Sequence, residues 1–142
     1  GAVGALKEEF QIGTICTPSY SIAGTLANTY LKDSIKEYVP FEKIYPEDEY
    51  VNRVIRMAAE HGHTIQKASV FCTDSIAMEY THLEEIKSFG TDLIEMETST
   101  FYSIAKLIKT LTFCSKFVIF CYVLTKIIRF FSTFYFQLFT FE

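Results

Sequence analysis

The sequence predicts an α/β domain, and three observations carry that prediction. Strand-like and helix-like stretches alternate from the N-terminus to about residue 109. One helix is strongly marked: Pro46 precedes the acidic turn Glu47, Asp48, Glu49, and Tyr50, Val51, Val54, Ile55 and Ala58 recur at helical spacing. An apolar fraction of 49% in 142 residues suits one domain with a packed core and excludes a disordered chain.

The elements follow in order. "GAVGALKEEFQIGTICTPSYSIAGTL" reads as a glycine turn, a short polar connection and a strand around Ile12, Thr14 and Cys16 that Pro18 ends. Residues 31–46 read mostly as loop, punctuated by Pro40 and Pro46. The marked helix stops at Gly62. "TIQKASVF", residues 64–71, is a strand running into the polar turn "CTDS". A short helix around His82 to Phe89 closes at Gly90, and "TDLIEM" is a buried strand. From Thr98 to about Lys109 the pattern is helical, with Phe101, Ile104, Ala105 and Ile108 on its apolar face. There is no internal repeat.

Composition narrows the function classes. A net charge of −4 gives no electrostatic reason to expect nucleic acid. Cys16, Cys72, Cys114 and Cys121 form no C-x-x-C pair and read as reduced thiols of an intracellular, cytoplasmic protein. No leader peptide is expected at the start, and opening on Gly1 suggests a fragment or a processed chain. The segment 110–142 differs from the rest. It holds nine of the fourteen phenylalanines, no glycine and no proline, and Glu142 is the only acidic residue after Glu97. Three readings of it stay open: a membrane anchor at 111–139 interrupted by Lys126 and Arg129, strands, or out-of-register translation of an AT-rich frame.

The chemistry-bearing stretch is "DLIEMETSTFY", residues 92–102, where an apolar strand meets a hydroxyl-rich helix start. Ligands of open α/β sheets sit beyond the carboxyl ends of strands. If residues 93–97 stay extended, Glu95 and Glu97 share one face and Met96 takes the other. An ionised carboxylate accepts both hydroxyls of a vicinal diol, and methionine offers an adaptable apolar contact. Spacing alone favours a plainer reading, in which Glu97 complements the helix dipole and Thr98 or Ser99 caps it. Thr73, Asp74 and Ser75 form a polar turn, Gly1 and Gly4 a weak anion-binding pattern, and His61 and His63 read as a solvated helix end rather than a metal site. His82 reads as a lone surface residue.

Taken in order, "GAVGALKEEFQIGTICTP", the helix at 47–60 and "SVFCTDSIAMEYTHLEEIKSFGTDLIEMETSTFYSIAKL" resemble the nucleoside phosphorylase family of purine nucleoside and uridine phosphorylases and their nucleosidase relatives. The resemblance covers about residues 1–109, with the E-M-E stretch as its most specific element. It implies a three-layer α/β/α sandwich around a mixed, partly barrel-like sheet, incomplete here. The chain would be a partial phosphorylase-like domain truncated at the N-terminus, followed from residue 110 by a divergent tail. The implied chemistry is reversible phosphorolysis of a purine or pyrimidine ribonucleoside, or hydrolysis in the nucleosidases. The implied partners are a nucleoside and inorganic phosphate as co-substrate, with no other cofactor and no metal, and the implied assembly is a homo-oligomer. By position, Met96 would pack on the ribose and Glu97 bind its hydroxyls. Glu95 would belong to the same pocket, Ile76 would line the base site, and Gly1 and Ala2 would stand at the phosphate.

The resemblance also shows departures. Ala2 stands where phosphorylases carry a phosphate-contacting Ser or Thr, Thr14 replaces an Asp, and Ile76 and Ala77 replace an aromatic pair. The family's upstream phosphate loop and arginines are not in the sequence. "LTFCSKFVIFCY" has no Asp where the family's "SDN"-like turn supplies the proton to the leaving base. Loss of such a general acid costs on the order of 10²–10⁴-fold in rate. A non-catalytic, membrane-anchored protein is the alternative from a different class.

Overall fold

The computed structural model describes residues 1–75, 79–110 and 114–120. Among these residues six strands form one mixed sheet: β1 (Ala2–Ala5), β2 (Ile15–Gly24), β3 (Lys43–Ile44), β4 (Gln66–Thr73), β5 (Leu93–Glu95) and β6 (Lys116–Phe120). The helices among the described residues are α1 (Asp48–Glu60), α2 (Leu83–Ser88) and α3 (Thr98–Leu107), with 3-10 turns at Ala27–Leu31 and Glu79–His82.

The strand order is β3-β2-β4-β5-β1-β6, and β6 also pairs with β2, so five strands close into a ring with β3 outside it. β2, β4 and β5 run parallel, whereas β1 and β6 run together in the opposite sense. The α/β class and mixed sheet expected from the sequence are present. Alternation along the strands separates two cores. Val3, Ala5, Cys16, Ala68, Val70, Leu93 and Val118 pack together on one face. Ile22, Phe71 and Ile94 face the other way and meet Ile86 of α2. Contact between neighbouring rings of Phe71, Phe89 and Phe41 extends this second core.

Several elements differ from the sequence reading. Residues 2–5, read as a glycine turn, form β1, because β5 and β6 supply partners on both sides that no local pattern reveals. Pro18 does not end β2. It lies beside a register shift against β4, between the stretches of β2 that pair with β6 and with β3, where a missing N–H is tolerated. β4 begins and ends about two residues later than read, at Gln66 and Thr73. The segment from residue 110, read as a tail, contributes β6 to the ring. Residues 121–142 lie outside the described residues, and with them most of the three open readings. Among the described residues no helix is long and apolar enough to cross a membrane.

Helix α3 turns a different face to the sheet than its apolar spacing suggests. Thr98, Ser99, Tyr102 and Ala105 are buried, while Phe101, Ile104 and Ile108 are exposed. The Tyr102 hydroxyl donates to the Pro18 carbonyl at 3.1 Å, which draws the helix onto β2. Burial raises the Tyr102 phenol well above its ordinary value, so it remains a donor. Helix ends follow the expected punctuation, with Gly62 and Gly90 both at positive φ after α1 and α2.

Asp92 ties three strands together. Its carboxylate accepts from Lys7 and from the Ser69 N–H and hydroxyl at 2.6 and 2.7 Å. Its backbone N–H and carbonyl bond Ser69 and Leu6. Burial pushes the carboxyl up, but Lys7 and Ser69 outweigh it and hold Asp92 below the usual aspartate range. A carboxyl with a lowered folded pKa adds stability above its unfolded value, about 4, and that contribution disappears as pH falls through the folded value. The stability gap between the wild type and Asp92→Asn is therefore expected to be widest near neutral pH and to narrow below about pH 4. Urea denaturation across that range measures it, and a constant gap would contradict the assignment.

Candidate functional site

The parallel strands β2, β4 and β5 end on one rim of the ring, and the chain turns there directly from Glu95 into α3. Residue 97 has φ −131° and ψ −20°, so extended structure gives way to helix within two residues. The first amides of α3 need acceptors. Glu97, the residue at the cap position, makes no side-chain bond to them, and neither Thr98 nor Ser99 does so. Glu95 reaches forward instead: its carboxylate accepts from the N–H of Glu97 at 2.9 Å and of Thr98 at 3.0 and 3.1 Å.

Lys116, the first residue of β6, completes the arrangement. Its ammonium donates to Glu95 Oε2 and to Glu97 Oε1, both at 2.7 Å. The side chains of Glu95 and Lys116 are each 1% exposed, whereas that of Glu97 is 59% exposed. Burial pulls the Lys116 ammonium down, but the two carboxylates outweigh it and hold it above the usual lysine value. The ion is therefore charged at neutral pH. Cys72, on β4 beside Glu95, is pushed up to about 12 by burial and by that carboxylate, so it stays a neutral thiol.

The two glutamates thus have different jobs. One ammonium touches both carboxylates even though β5 ends at Glu95 and residue 97 is no longer extended, and Met96 is 45% exposed. Glu95, expected in the ligand pocket, serves here as an internal cap and counter-ion, with both oxygens engaged by the start of α3 and one also by Lys116. Glu97 keeps Oε2 without a hydrogen-bond partner among the described residues, next to Met96. Gly1 packs against this pair: a Cβ there would collide with Glu97 Oε1 and stand 3.1 Å from Lys116 Nζ. Ala2 is exposed at the start of β1 and offers only a methyl group, and Gly4 is held in the ladders to β5 and β6. Ile76 lies outside the described residues.

Other candidates from the sequence are accounted for locally. Asp74 accepts from the Thr25 hydroxyl and from the Leu26 N–H, joining the exits of β4 and β2. His61 bonds the Met57 carbonyl at the end of α1, and exposed His82 lies beside Glu85. Among the described residues no group of three side chains could hold a metal ion. A separate cleft of about 370 Å³, lined by Phe41, Phe71, Phe89, Asp74 and His82, includes none of Glu95, Met96 or Glu97. Lys116 is the site residue that sequence reasoning missed. It lies 19 residues beyond Glu97 inside the segment read as divergent, and its only signal is a lone cation opening the apolar run "KFVIF".

A strand ending in E-M-E, a helix capped from within that motif and a ring-like mixed sheet agree with a family match over residues 1–123, whose model is described as the phosphorylase superfamily. The chain belongs to the phosphorylase superfamily. Solved structures agree on its fold. The 5'-methylthioadenosine/S-adenosyl homocysteine nucleosidase of Campylobacter jejuni matches with TM-score 0.69 at 18% identity, over 85% of this chain and 54% of that one. The P knowlesi homolog of P falciparum PNP matches with TM-score 0.69 at 18% identity, over 85% and 49%. The AMP nucleosidase of Bacteroides thetaiotaomicron matches with TM-score 0.66 at 23% identity, over 83% and 50%. This superfamily member spans about half the length of those structures. No curated protein sequence matches it.

Proposed function

We propose that the E-M-E rim binds the ribose of a nucleoside, and that the reaction it serves is cleavage of the N-glycosidic bond with phosphate as acceptor. The observation that carries the reading is the Glu97 carboxylate. It is exposed, fixed at Oε1 by Lys116 and, among the described residues, without a hydrogen-bond partner at Oε2, and its chain neighbour Met96 is half exposed. A carboxylate so held accepts the 2'- and 3'-hydroxyls of a ribose, while Met96 covers an apolar edge of the sugar. As the base departs, the sugar gains oxocarbenium character, and a fixed negative group nearby stabilises that charge. The unpaired thiols Cys16, Cys72 and Cys114 suit a reducing compartment such as the cytoplasm.

One observation favours hydrolysis as a second reading. Among the described residues the one buried cation here, Lys116, is already shared by Glu95 and Glu97, and Ala2 has no hydroxyl for an anion. Such a rim opposes a phosphate dianion but not water. Incubating the chain with uridine, inosine or adenosine, with and without phosphate, and following free base separates the two. Under the first reading release depends on phosphate; under the second it does not. Glu97→Ala is expected to weaken nucleoside binding by about tenfold to a hundredfold, the value of hydrogen bonds to a charged acceptor. Equal binding and equal base release by wild type and Glu97→Ala would sink the ribose assignment.

A further inference from the structure

We propose that Lys116 is a positioning residue for this rim, keeping the Glu97 carboxylate aimed at the ribose diol. The inference rests on the reading of Glu97 as the ribose-binding group.

A lysine is almost never fully buried unless paired, and Lys116 has two partners that differ sharply. Glu95 is as buried as the lysine and is itself fixed by the N–H groups of Glu97 and Thr98. Glu97 is on the surface. Rigidity therefore passes outward in three steps: backbone amides fix Glu95, Glu95 fixes the ammonium, and the ammonium fixes Glu97 Oε1. An exposed glutamate would otherwise sample many rotamers, and ordering it on binding would weaken affinity. Pinned at one oxygen, it still offers Oε2 and the remaining lone pair of Oε1, which is what a vicinal diol needs. Gly1 leaves the space in which this bridge sits.

Among the described residues the groups facing the ammonium are few. Glu95 comes from β5 and Glu97 from the start of α3. Cys114 stands two residues before Lys116, Cys72 lies on β4 beside Glu95, and the Gly1 amino group is bonded to the Ser115 carbonyl. Burial raises both thiols and keeps them neutral, so among the described residues the ammonium's carboxylate partners are the two glutamates. A purely structural lysine would serve Glu95 alone, and its contact with Glu97 would have no bearing on ribose.

The test is a double-variant cycle on nucleoside affinity. Adenosine or uridine titrations of the full chain compare Lys116→Met with wild type and Lys116→Met/Glu97→Ala with Glu97→Ala. Glu95→Gln/Lys116→Met removes both buried charges together and takes the place of Lys116→Met should that variant not fold. Losing Lys116 is expected to weaken nucleoside binding by about tenfold in wild type, through lost orientation of Glu97, and by less than about twofold once Glu97 is gone. An equal fall in both backgrounds, or none in wild type, overturns the role of Lys116. Full affinity in Glu97→Ala overturns the ribose reading instead.

Discussion

Glu95→Ala is expected to lower stability by about 3–5 kcal/mol, the cost of leaving a buried charge without its partner. The substitution strips Lys116 of its buried counter-ion and leaves the first amides of α3 without their acceptor. Domains of this size have stabilities of about 5–15 kcal/mol, so much of the population would unfold under mild denaturant. Glu95→Gln should be milder, because an amide oxygen can still cap the helix. Glu95→Ala/Lys116→Met should recover part of the loss, since no orphaned charge remains. Urea unfolding followed by circular dichroism measures all three. If Glu95→Ala melts like wild type, the buried bridge contributes nothing.

The second large effect concerns helix α3, where adjacent aromatic residues are expected to behave oppositely. Tyr102 is 1% exposed and anchors the helix to the Pro18 carbonyl, so Tyr102→Ala should cost about 3–5 kcal/mol, as for other large core truncations. Phe101 is 43% exposed, and Phe101→Ala should fall within about 0.5 kcal/mol of wild type. Comparison of their unfolding midpoints decides which face of α3 meets the sheet. A larger effect at Phe101 would restore the face suggested by apolar spacing.

That contrast explains how much of the fold was legible. Where structure is local, the sequence was a good guide. Pro46 and the acidic turn after it lead into α1, glycines at positive φ follow α1 and α2, and the short apolar run before Glu95 forms β5. Where pairing is distant, it was not. β1 and β6 complete one another across more than a hundred residues, and neither has a period or a turn signal that announces the match. The α3 face was misread because close approach to β2 favours Thr98 and Ser99, small polar residues that a hydrophobic count passes over, while of the apolar set only Ala105 is buried.

At the functional rim the division is sharper. The order of residues by itself determined that a strand ends in two carboxylates flanking a methionine, that a helix follows at once, and that this E-M-E stretch is the element most like the superfamily's own. It could not decide which carboxylate faces solvent, because alternation places both on the same side. Tertiary structure decided that through Lys116, brought by β6 from 19 and 21 residues away in sequence. One buried ammonium fixes Glu95 inward and leaves Glu97 outward, since a charge taken from water requires a partner taken with it.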